Sequence, residues 1–151
     1  MKATRFLLAG AVAVMACDST ADPENDFEVT AATVIGCYEL AIGTWTPQPE
    51  EYMPPPVRFE LTSEVGTDAL ENGRTLIGSR AGDPGNPYRW SWWQVTPDPK
   101  LQLIFSTGFT GVSLEFDRGG SSTFEGTARA FVDYSSEQPT APATLTRRSC
   151  G

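Results

Sequence analysis

From residue 34 onward, short runs of strictly alternating apolar and polar residues recur until the chain ends, and this pattern constrains the fold more than any other feature. A β-strand turns successive side chains to opposite faces, so a period of two marks a strand with one buried side. Residues 57–65 place Val57, Phe59 and Leu61 on one face and Arg58, Glu60 and Thr62 on the other. Leu101, Leu103 and Phe105 repeat the pattern, as do Val112, Leu114 and Phe116. The longest run, 122–134, sets Phe124, Ala128, Ala130, Val132 and Tyr134 on one side. Shorter runs are 34–42 around Tyr38, Leu40 and Ile42, 74–80 around Leu76 and Ile77, the aromatic-rich 88–96, and 143–150 around Leu145. That makes about eight strands, and no stretch of eleven or more residues in this region carries a helical stripe.

The gaps between runs hold turn residues. Gly82-Asp83-Pro84-Gly85-Asn86-Pro87, Pro97-Asp98-Pro99 and Arg118-Gly119-Gly120-Ser121 all break regular structure. Segment 46–56 is longer and carries five prolines, which forbid both helix and central strand; it reads as an extended strap over one end of the fold. Many short strands joined by hairpin-length connections give an all-β domain, either a closed antiparallel up-and-down barrel or a β-sandwich. The short connections favour the barrel.

The N-terminus reads differently. Lys2 and Arg5 precede an unbroken apolar or small-residue stretch, 6–16, then Cys17 and an acidic segment. Eleven residues are too few to span a bilayer, which needs about 20, but they suit the core of a secretion signal. The order Val14-Met15-Ala16-Cys17 resembles the lipobox of bacterial lipoproteins. The resemblance implies that residues 1–16 are a signal peptide. It also implies that Cys17 is lipidated, with acyl chains such as palmitate, and becomes the mature N-terminus. The protein would then be exported and held at the cell envelope, on the periplasmic or outer-membrane side. A plain signal peptide with a cysteine nearby is the alternative. Residues 17–33, with five acids between 18 and 28, read as a disordered tether, and 34–151 as the β domain.

With Cys17 assigned to lipid, Cys37 and Cys150 remain, in a compartment that permits disulfides. A bond between them would set the first strand beside the last; two free buried thiols are the other possibility. From Cys17 on, nine basic residues face nineteen acidic ones, a formal charge of −10. Such a body disfavours nucleic acid, whose affinity comes largely from basic residues, and anionic lipid surfaces.

The first run carries Gly36-Cys37-Tyr38-Glu39-Leu40, and Gly43-Thr44-Trp45 follows at once. A glycine, any residue, then Trp or Tyr near the first strand resembles the opening of lipocalin-like small barrels. The resemblance implies an aromatic plug in the barrel floor with an arginine of the last strand packed on it, here Arg147 or Arg148.

Little in the chain points to catalysis or a cofactor. There is no histidine, the commonest general base, and no Gly-x-Ser-x-Gly elbow. Glu39, Glu60, Glu115 and Glu125 fall in strands, where a solvated face explains them. The acids of 18–28 lack the glycine and closing glutamate of a calcium loop, so no metal is expected either. The densest feature is aromatic: Trp90, Trp92 and Trp93, with Tyr88 nearby and Arg89 between. Two functions follow. In the first, Trp90, Trp92 and Phe105 line the barrel around a small apolar or aromatic ligand, with Arg89 holding a carboxylate. In the second, the core is filled and the lipoprotein meets an envelope protein through its surface or the strap. In both, the membrane is a partner through the lipid anchor.

Overall fold

The computed structural model describes residues 29–50, 52–67, 72–79, 86–117, 119–132, 136 and 138–151. Cys17 and the expected signal lie outside them. A single helical turn, α1 (Ala31–Val34), precedes eight strands: β1 (Gly36–Ile42), β2 (Arg58–Val65), β3 (Thr75–Ser79), β4 (Trp90–Val95), β5 (Leu101–Ser106), β6 (Thr110–Phe116), β7 (Thr123–Val132) and β8 (Thr140–Arg148). Each strand pairs antiparallel with the next, and β1 pairs with β8, so the sheet closes into an up-and-down barrel.

The period-two pattern becomes layers. Across four neighbouring strands, Trp93, Leu103, Leu114 and Ala128 form one inward row. Val95, Leu101, Phe116 and Gly126 form another. Ser91, Phe105, Val112 and Ala130 form the third. The rings of Tyr38, Phe59, Trp93, Phe105, Phe116 and Phe124 are almost wholly buried. Ala128, Ala130, Ala141 and Ala143 make β7 and β8 the thin side of the lining. In an eight-stranded ring β8 stands opposite β4, which carries Trp93, so small residues on one wall leave room for the largest on the other. Apolar side chains point in and charged ones out, the reverse of a membrane-spanning barrel.

Two boundaries differ from the sequence expectation. The folded domain starts before residue 34: Val29 is buried, and Thr30 caps α1 in a reciprocal box with Thr33. The last strand begins at Thr140, earlier than expected, and includes Pro142. Pro142 pairs with Thr127 on the β7 side, while its carbonyl accepts from Gly43 N at 2.9 Å just past the end of β1. N–H and C=O of one residue in a strand point the same way, so the missing N–H falls where the β1 ladder has ended.

Cys37 and Cys150 form the expected disulfide, with Cα atoms 5.3 Å apart and a separation of 113 in sequence. A loop this long removes much entropy from the unfolded chain, nominally about 4.7 kcal/mol. Replacing Cys37→Ala together with Cys150→Ser is therefore expected to lower stability by several kcal/mol, up to about that figure. Urea unfolding of parent and variant measures it, and reductant should shift the parent's midpoint the same way. Equal midpoints would show that the β1–β8 ladder alone holds the closure.

Candidate functional site

Both ends of the barrel are stoppered by the chain itself. At the end where β1 starts and β8 finishes, Tyr38 OH donates to Val34 O at 2.8 Å, tying the first strand to α1. The Arg147 guanidinium lies 5.8 Å from the centre of the Tyr38 ring. It donates to Thr33 O at 3.1 Å and also to Ile35 O. Gly36 has φ +146°, and a Cβ there would come within 2.9 Å of Arg147 Nη2, so the arginine needs a glycine beneath it. Of the two aromatics that follow a glycine here, Tyr38 lies by Arg147 and Trp45 lies by Tyr52. Arg148 points outward and pairs with Glu39 at 3.3 Å.

The proline-rich segment closes the opposite end. Thr46 and Thr140 exchange backbone hydrogen bonds of 2.8 and 3.1 Å, which pin the strap's start to β8. Trp45 is buried and meets Tyr52 edge-on, with ring centres 5.0 Å apart. Tyr88 OH donates to Met53 O, and its ring sits 5.9 Å from that of Phe105. Strap, Tyr88 and Phe105 therefore form one continuous plug.

The expected ligand-lining set does not come together inside. Phe105 is in the core, but Trp90 and Trp92 face outward from β4. Trp93, expected on the opposite face from them, is the tryptophan that fills the interior, where its Nε1 donates to Thr62 O at 3.0 Å. Arg89 is exposed, with its guanidinium 4.7 Å from the centre of the Trp90 ring, outside the barrel. Arg74, which the sequence reading passed over, lies 4.1 Å from the centre of Trp92 in the same manner. The correction follows from the β4–β5 hairpin: Ser91 pairs with Phe105, so the residues on either side of Ser91 must face away from Phe105's side.

Two of the four strand glutamates, Glu39 and Glu115, sit in ion pairs. Glu39 lies between Arg58 at 3.6 Å and Arg148 at 3.3 Å. Glu115 binds Lys100 at 2.8 Å, and Asp117 reaches the same ammonium at 3.2 Å. These two acids raise the Lys100 pKa and keep it cationic. Glu60 stands near Cys37 and Cys150, but sulfurs bonded to each other offer no thiolate to a metal.

The chain matches no protein-family model, no curated protein and no solved structure.

Two outcomes follow from the stoppers. Arg147→Ala leaves two carbonyls without their charged donor, so it is expected to cost roughly 1.5–3 kcal/mol. Urea unfolding would measure that loss, and faster amide exchange in α1 would place it at the floor. Tyr38, Tyr52 and Tyr88 all titrate above the ordinary phenol value, chiefly because they are buried. Arg147 partly offsets the rise at Tyr38, a hydrogen bond with Trp45 offsets it at Tyr52, and Tyr52 adds to it at Tyr88. The folded state thus holds these protons more tightly than the unfolded chain. Their contribution is whole below the ordinary value of 10.0 and is lost as pH rises through the folded values. The urea midpoint is expected to fall above about pH 10 as tyrosinate absorbance grows; a flat midpoint there would refute the burial argument.

Proposed function

We propose that the chain is an exported envelope lipoprotein, anchored through Cys17, whose barrel works through its outer surface and carries no ligand inside. One observation carries the reading: six aromatic rings, Trp93 among them, occupy the interior, while Trp90 and Trp92 face outward. A ligand-binding barrel needs an opening and a vacant lining. Here α1 and Arg147 cover one end, and the strap with Tyr88 covers the other.

Export is supported by the charge, apolar run and cysteine of residues 1–17, and the Cys37–Cys150 bond suits an oxidising compartment. Twelve positions separate Cys17 from Val29, a reach of at most about 40 Å. The domain would thus work close to the membrane that holds its lipid.

Native mass spectrometry of protein extracted from its own membrane tests the reading. The expected species is the chain from Cys17 with its acyl groups, one disulfide and no passenger. Titration with hydrophobic fluorescent probes is expected to give no saturable change in tryptophan emission. A stoichiometric apolar passenger, or an unacylated chain retaining residues 1–16, would overturn it.

A further inference from the structure

The outward wall of β4 to β7 is unlike the rest of the barrel surface. Trp90 and Trp92 stand two residues apart on one strand face, about 7 Å along the chain. Ile104 pairs with Trp92 across the ladder and extends the apolar surface. Trp90 lies against the β5–β6 turn at Gly108, whose φ is +103° and whose Cβ, were there one, would sit 2.6 Å from the ring. That close fit fixes the indole in place.

Charge sets this wall apart further. Arg74 and Arg89 lie over the two indoles, and Arg129, in the same outward row as Trp92, donates to Gln138 at 3.1 Å. Among the described residues these three arginines have no carboxylate partner, whereas Arg58, Lys100 and Arg148 are paired. No acid occurs in the outward rows of Trp90 and Trp92. In a chain of formal charge −8 these two rows carry the opposite sign, and Glu115, in the neighbouring row of Gln94 and Gln102, is held by Lys100. A guanidinium stacked by its face keeps its N–H edge free to fork a carboxylate. Around the rings lie groups that suit hydroxyls: Ser106 beside Trp90, Ser113 beyond Ile104, and the Gln94–Gln102 pair, bonded at 2.6 Å, in the row past Trp92.

We propose, building on the outer-surface reading above, that this wall binds an acidic glycan. Its carboxylates are forked by Arg74 and Arg89, and its sugar rings lie on the Trp92–Ile104 surface. An extended peptide adding as a strand is disfavoured over most of this wall, because β5 and β6 are already paired on both sides. A lipid bilayer is disfavoured because its hydrocarbon would leave the serines and glutamines of the wall unsatisfied.

Full-length protein in neutral detergent, run in native gels cast with polygalacturonate, tests this. Its methyl ester, which keeps the ring and loses the charge, and gels without polymer are the references. Retardation is expected with polygalacturonate, should be several-fold weaker with the ester, and should shrink as salt screens the arginines. Trp92→Ala is expected to weaken binding roughly tenfold or more, since tryptophan commonly dominates binding surfaces. Arg74→Gln and Arg89→Gln should each weaken it several-fold, and Arg58→Gln, on β2 beside Glu39 of β1, should leave it unchanged. If Trp92→Ala lowers the urea midpoint, Trp92→Phe keeps a ring and is expected to retain most of the retardation.

Equal mobility with and without polymer would overturn the proposal. So would retardation that survives Trp92→Ala combined with Arg74→Gln. An apolar passenger seen by native mass spectrometry would defeat the outer-surface reading. A passenger-free mass together with no retardation would defeat only the glycan.

Discussion

The pairing of β1 with β8 is the contact on which the rest of the barrel depends. It joins the two ends of the strand series through six partners, from Cys37 with Arg148 to Ile42 with Ala143. Without it the first and last strands would each present a row of unpaired backbone groups, and the inward side chains would face solvent along an open seam. Closing a loop of this length costs chain entropy before any native contact offsets it. Three devices hold the seam: the disulfide at one end, Arg147 binding the residues just before β1, and the Thr46–Thr140 pair at the other end. All three act on β8 or the residue pair just beyond it. The ends that are farthest apart in sequence are therefore the most heavily fastened.

The same seam explains why the fold was legible from residues alone. Each strand buries one face only, so polar residues on the outer face kept the period-two signal clear in Leu101–Ser106 and Thr123–Val132. Closure was legible through the cysteines, because a bond between the first and last runs leaves few topologies besides a ring. The start of the domain was not. Val29 and α1 lie directly after an acidic stretch, and one buried valine with a threonine capping box makes no period long enough to read. Pro142 hid the start of β8 for a similar reason. A proline usually ends a strand, and only the position of β1's end shows why this one does not.

The tryptophans illustrate a subtler limit. Residues 90–95 are apolar on both faces apart from Ser91 and Gln94, so alternation within the strand could not say which side was the core. The answer lay in the neighbouring strand. Leu101, Leu103 and Phe105 have a clear inward phase, and the tight corner after β4 pairs Val95 with Leu101. Counting back two at a time makes Trp93 and Ser91 inward and sends Trp90 and Trp92 out. Trp90, Trp92 and Phe105 therefore never could share a face once the hairpin register was set. Strand phase in a hairpin belongs to the pair, and the more regular member determines it.

Outward indoles carry a cost that the core does not explain. The interior is occupied without them, and the strap, Tyr88 and α1 close the ends without them. A wall serving only solubility, in a chain with nineteen acids and eleven bases, would be expected to carry carboxylates. The rows of Trp90 and Trp92 instead have arginines laid on aromatic faces, an arrangement that shields the rings from water and orders the cations at once. Such a surface loses little further side-chain entropy when it meets a ligand, because its longest side chains are already held. Rigidity inside and preorganisation outside have a common source: the filled barrel fixes β4, and a fixed β4 holds Trp90 and Trp92 in register with the strands beside them.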